Sequence, residues 1–121
     1  MKVCNIEFED EVPVEVLAKA FISKCKSSVS LPRRVKAKVY YDPECPACKR
    51  LFIFMMRIEN IEVKAVHFSK GIDDIMERIG TIAIPFTIIE NGKWLRGCPR
   101  DFNDFYVKLV EAVSSEGEAE S

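Results

Sequence analysis

A segment with β-branched Val35 and Val39 and aromatic Tyr40 and Tyr41, running from Val35 to Tyr41, ends at Asp42-Pro43 and leads through Glu44 into Cys45-Pro46-Ala47-Cys48. Beyond the second cysteine, Leu51, Phe52, Met55 and Ile58 recur at helical spacing. The run predicts a buried strand and the stripe a helix, so a Cys-x-x-Cys pair lies where a strand hands over to a helix. Pro46 suits the first helical turn, where a missing backbone N–H does no harm. Cys45 is then expected as the residue that caps the helix.

The other elements follow from the same periodicities. Met1 to Phe8 alternates, with Cys4, Ile6 and Phe8 on one side and Val3, Asn5 and Glu7 on the other, as a half-buried strand does. Val14, Leu17, Ala18, Phe21, Ile22 and Cys25 mark one face of a helix that starts at Pro13. Ser27, Ser28, Ser30 and Pro32 form a polar connector before the Val35 strand. Ile61 to Phe68 reads as a strand, and Ile72, Ile75, Met76 and Ile79 as a short helix that Gly80 ends in a left-handed conformation. Pro85 to Glu90, Asn91-Gly92 and Lys93 to Arg96 read as a hairpin with a two-residue type I′ turn. Phe102, Phe105, Tyr106, Leu109, Val110 and Val113 line a last helix that Asp101 can cap. The expected organisation is one domain over 1–113 and an acidic flexible tail over 114–121.

Length and charge narrow the function. The 121 residues, 48% of them hydrophobic, suit a single core. Eighteen basic side chains nearly cancel nineteen acidic ones, which argues against nucleic acid or an anionic membrane surface as a partner. Glu7, Glu9, Asp10, Glu11 and Glu15 break any early apolar stretch, so the chain reads as cytoplasmic. Five cysteines without the spacing of a secreted disulfide framework then point to redox or metal chemistry. Zinc wants four ligands, and with neither a second Cys-x-x-Cys nor a histidine pair the expectation is redox chemistry and no metal ligands.

The order β-α-β-α-β-α-β-β-α, together with Cys45-Pro46-Ala47-Cys48, Ile84-Pro85 and Asn91-Gly92 followed by Gly97-Cys98, resembles a glutaredoxin from about Val35 to Val113. The leading pair of elements looks like thioredoxin. The resemblance implies an α/β thioredoxin fold, with a central mixed sheet of four to five strands flanked by helices. It also implies a cis bond before Pro85, with the backbone of Ile84 pairing with substrate beside the cysteines and with Gly97 and Cys98 near the same groove.

A cysteine at a helix N-terminus meets unpaired N–H donors and the positive end of the helix dipole, and both favour the thiolate that attacks disulfides. Cys45 is thus the expected nucleophile and Cys48, one turn along, the resolving thiol. The resulting expectation is a thiol-disulfide oxidoreductase that reduces protein disulfides, or glutathione-mixed ones, by dithiol exchange. It needs no tightly bound cofactor; glutathione is a candidate co-substrate, and a thioredoxin-reductase-like or glutathione-based system the reductant. The alternative is a non-catalytic thioredoxin-fold binding module, or a glutaredoxin-like protein that holds an iron–sulfur cluster.

The remaining residues divide between packing and chemistry. Cys4 and Cys25 read as buried small hydrophobes, with a structural disulfide between them as the alternative, because a strand's start lies beside the end of an antiparallel returning helix. Cys98 reads either as packing or as a secondary thiol. His67, the single histidine, reads as structural, and Phe52, Phe54, Met55 and Met56 as core filling.

Overall fold

The computed structural model describes residues 2–9 and 29–114. The helix expected from Val14 to Cys25 and positions 115–121 of the expected tail lie outside the described residues. In chain order the elements are β1 (Lys2–Val3), β2 (Ile6–Phe8), β3 (Val35–Tyr41), α1 (Pro46–Met56), β4 (Ile61–His67), a 3₁₀ turn (Phe68–Lys70), α2 (Ile72–Ile79), β5 (Phe86–Ile89), β6 (Trp94–Arg96) and α3 (Phe102–Ser114).

Six strands form one sheet in the order β1-β2-β4-β3-β5-β6. β2, β4 and β3 run parallel, with Val35 opposite Ile61 and Tyr41 opposite His67. β5 is antiparallel to β3 and β6 to β5, which pairs Tyr40 with Phe86 and Phe86 with Arg96. A parallel β-α-β unit, a connecting helix, an antiparallel hairpin and a closing helix make this a thioredoxin fold.

The alternation along β3 sends its side chains to two cores. Val35, Ala37, Val39 and Tyr41 face a large cluster shared with α1 and α3. Tyr40 faces a smaller one with Val66, Ile75 and Phe86, beneath α2. Phe8, Tyr41 and Phe52 meet edge to face, with centroids 5.2 to 5.7 Å apart. Such pairs add about 0.5–1.5 kcal/mol each beyond burial. Because Tyr41 ends β3 and Phe52 lies midway along α1, this triad packs the helix against the end of the strand.

α2 is held by a polar bond as well as by Ile75. The Tyr40 hydroxyl donates to Asp74 Oδ2 at 2.9 Å, and Arg78 Nε donates to Asp74 Oδ1 at 2.9 Å. Burial and the bond to Asp74 push the Tyr40 phenol up to about 12. Burial works against the charge of Asp74, yet the bonds from Arg78 and Tyr40 outweigh it and hold the carboxyl below its usual range. The helix ends at Gly80 with φ 73°, as its sequence predicts.

Two local expectations are corrected. The leading strand is not continuous: Cys4 adopts φ 56°, and a turn at Cys4-Asn5 folds the segment into the β1–β2 hairpin, which raises the sheet to six strands. The turn shifts the alternation by one residue, so Val3 is buried together with Ile6 and Phe8. Asn5 turns inward, and its Nδ2 donates to the carbonyls of Met55, Ile58 and Ile61 at 3.0, 3.1 and 3.0 Å, tying the hairpin to the end of α1. The second correction concerns the β5–β6 turn, which is not type I′, since Gly92 but not Asn91 has a positive φ. Gly92 N donates to Ile89 O and Ile89 N to Lys93 O, each at 2.8 Å, which makes a three-residue loop with Gly92 in the left-handed position. Asn91 is used by its side chain instead, accepting from Lys93 N at 2.9 Å and donating to Ala112 O at 3.1 Å.

Candidate active site

The junction between β3 and α1 lies at the carboxyl end of the central parallel strand, between β4 on one side and β5 on the other. Crevices in open α/β sheets form at such ends. Asp42 shapes the connection: its Oδ1 accepts from Glu44 N at 2.9 Å and its carbonyl from Cys45 N at 3.1 Å. That turn delivers Cys45 to the helix cap in an extended conformation, φ −81° and ψ 117°, with Pro46 in the first turn.

Cys45 Sγ accepts a hydrogen bond from Cys48 N at 3.2 Å, and Lys49 N donates to the Cys45 carbonyl at 3.1 Å. The sulfur thus takes the place that a serine or aspartate oxygen fills in ordinary N-caps. The first turn of the helix thereby partners the sulfur through a backbone N–H.

The two cysteines differ in burial because they differ in helical phase. Cys48 falls on the stripe of Leu51, Phe52 and Met55, all facing the large core, and is 0% exposed. Cys45 precedes the helix and is partly exposed. Burial first, and then the hydrogen bond with Cys45, push the Cys48 thiol far above the ordinary thiol range. At neutral pH the site therefore holds a protonated inner thiol beneath an outer one open to solvent.

The Ile84–Pro85 peptide bond is cis, with Pro85 buried and Ile84 half-buried. Gly97, at φ 75°, donates its N–H to Pro85 O at 2.8 Å, so the turn after β6 sits on the turn before β5. Cys45, Ile84 and Cys98 all pack against the same core cluster. Cys98 is half-buried, and its thiol donates to Pro99 O at 3.3 Å. Burial pushes that thiol up, Arg50 draws it back down, and Cys45 adds to the rise. Cys45, Cys48, Ile84, Pro85, Gly97 and Cys98 thus lie toward one end of the sheet.

Arg50 belongs to this group; its sequence position marks it as a positive charge near Cys45 but does not show what it bonds. Its Nε donates to Pro99 O at 3.0 Å and its Nη2 to Cys98 O at 2.6 Å. No spacing rule could have found these bonds, since the partners lie 48 and 49 positions away.

Other cysteines and polar groups stand apart. Cys4 is disulfide-bonded, while Cys45, Cys48 and Cys98 are free thiols. Cys25, the partner expected for Cys4 in a disulfide, lies outside the described residues. His67 has a structural place: its Nδ1 accepts from Ser69 N at 3.2 Å and caps the 3₁₀ turn. Trp94 is 41% exposed, with one face stacked on Phe86 at 5.5 Å. Among the described residues no group of three or more His, Cys, Asp or Glu side chains is placed to hold a metal ion, and no helix is long and apolar enough to cross a membrane.

No family model and no curated protein matches this chain in sequence. Among solved structures, thioredoxin NaTrxh from Nicotiana alata is similar at a TM-score of 0.49 and 13% identity, over 93% of this chain and 96% of that one. The NTD_N/C domain of the alkylhydroperoxide reductase AhpF from Enterococcus faecalis is similar at a TM-score of 0.48 and 16% identity, over 86% of this chain. This chain spans 45% of the length of the AhpF domain structure.

Proposed function

We propose that the protein reduces disulfides of protein substrates by dithiol exchange through Cys45 and Cys48. One observation carries the reading: a partly exposed sulfur caps the helix and accepts the N–H of a second cysteine, whose own thiol is buried and held protonated.

In the first step the Cys45 thiolate attacks one sulfur of the substrate. A Cys45–substrate disulfide forms, the substrate S–S bond breaks, and the departing thiolate takes a proton from solvent. In the second step Cys48 attacks Cys45 Sγ and closes the Cys45–Cys48 disulfide. The proton of Cys48 passes to the second departing substrate sulfur. Two electrons have moved from the protein to the substrate, and both substrate sulfurs leave as thiols.

Burial of Cys48 supports this division of labour. An inner thiol that stays protonated neither competes for external disulfides nor repels the outer thiolate, and it reacts when the mixed disulfide places an electrophilic sulfur one helical turn away. Ile84, Pro85, Gly97 and Cys98 are assigned to the wall that receives the substrate. An external dithiol, a thioredoxin-reductase-like enzyme or a glutathione-based system returns the electrons, with glutathione as a co-substrate rather than a resident group.

Insulin-disulfide reduction driven by dithiothreitol tests the assignment. Cys45→Ser is expected to reduce turnover to background, and Cys48→Ser to accumulate a mixed disulfide visible as the summed mass of protein and substrate chain. Wild-type activity in Cys45→Ser would refute the assignment and favour a binding module on the same fold.

A further inference from the structure

Arg50 sits on the second turn of α1, half-buried, five positions after Cys45. Its two donors each reach a carbonyl of the turn between β6 and α3, Cys98 at 2.6 Å and Pro99 at 3.0 Å. Successive carbonyls directed at one guanidinium match the planar fork of an arginine side chain, whose donors are fixed relative to one another. The turn that carries them has no regular secondary structure between Arg96 and Phe102. Its Gly97 N–H is committed to Pro85 O at 2.8 Å. A continuous set of bonds therefore runs from the helix that carries both active cysteines, through Arg50, to Cys98 and Pro99, and on through Gly97 to the cis Ile84–Pro85 turn.

We propose that Arg50 is a positioning residue for polypeptide substrates. It holds the 97–99 turn, and through it the Ile84–Pro85 turn, in register with the Cys45 sulfur, so that an extended substrate meets a wall already in place. The inference rests on the disulfide-reductase reading above and deepens it. A wall that must be ordered anew at each encounter weakens substrate binding, whereas one ordered in the free protein does not. Lysine does not replace the arginine here, because a single ammonium on a flexible stem lacks the rigid fork that serves both carbonyls.

The test compares wild type, Arg50→Met and Arg50→Lys in insulin reduction with dithiothreitol, alongside amide hydrogen exchange at Gly97. Methionine keeps the apolar stem, and lysine keeps the charge. In both variants the KM for insulin is expected to rise about tenfold, equivalent to ~1.4 kcal/mol, with kcat changed less than about twofold. Gly97 exchange is expected to accelerate in both, because its bond to Pro85 O loses the brace behind it. A KM within about twofold of wild type in Arg50→Met, or full restoration by Arg50→Lys, overturns the proposal. If Arg50→Met does not fold, Arg50→Lys decides the matter by the same two readouts. The two readings fail separately: inactive wild-type protein sinks the reductase function, while unchanged Gly97 exchange in the variants sinks the brace without any turnover being measured.

Discussion

Raising the pH on the reduced protein isolates the inequality between the thiols of Cys45 and Cys48. Cys48 is 0% exposed, and burial followed by the bond to Cys45 pushes its thiol up. In the unfolded chain the same thiol ionises near ~8.5. The folded value lies above the unfolded one, so the folded protein keeps a proton that the unfolded chain gives up. This contribution to stability is fully present below ~8.5 and is lost as pH rises toward the folded value. The loss approaches 2.303RT, about 1.36 kcal/mol, per pH unit, and RT ln(1 + 10²) caps it at about 2.7 kcal/mol by pH ~10.5. Cys48→Ala removes the titrating group and leaves a small packing defect that is the same at every pH. Urea unfolding of both reduced proteins from pH 7.5 to 10.5 is expected to show the wild-type advantage shrinking by up to about 2.7 kcal/mol. Tyr40, raised to about 12, drives a loss of the same sign at higher pH but is common to both proteins and cancels in the difference. Parallel curves, with a gap that changes by less than about 0.5 kcal/mol, would refute the view that Cys48 is held protonated by its surroundings.

Three further outcomes follow from named contacts. In the reduced protein at neutral pH, iodoacetamide is expected to modify Cys45 well before Cys48, as peptide mass mapping of a time course would show; equal rates would contradict the burial of the inner thiol. Asn5→Ala strips the carbonyls of Met55, Ile58 and Ile61, between the end of α1 and the start of β4, of an amide that has two N–H groups to offer, a loss of about 2–3 kcal/mol. At ~2.1 cal/mol/K per residue over 121 residues, about 0.25 kcal/mol/K, that lowers Tm by about 10 °C in a calorimetric scan, and a shift under about 2 °C counts against the anchor. Gly71→Ala places a methyl 2.2 Å from Tyr40 Cε1 and is expected to destabilise by about 1–3 kcal/mol, a cost that Tyr40→Val in the same chain largely relieves; a neutral single variant in urea unfolding would show that the ring moves aside freely.

The order of the described elements was largely legible from local pattern, and the misses share a cause. The bounds of β3 and α2, the start of α1, the cap at Cys45 and the stop at Gly80 all depend on residues within a turn or two of one another, where side-chain period, proline φ and capping chemistry act directly, whereas Ile58, read as part of the α1 stripe, lies beyond the helix end at Met56. The β1–β2 turn and the β5–β6 loop departed from expectation because their backbones answer to distant partners. Asn5 bonds carbonyls 50 to 56 positions away, and Asn91 reaches Ala112.

The amino-acid order by itself determined that a strand would deliver one cysteine to the head of a helix and set the second a turn further on, since phase along a helix is a local property. Only the tertiary structure decided how unlike the two sulfurs became. Seating the stripe of Cys48, Leu51, Phe52 and Met55 in a core built with β2, β3 and α3 removed the inner thiol from water and left the outer one partly exposed. The same packing brought Arg50 to carbonyls nearly fifty residues away, a meeting that no short-range pattern encodes.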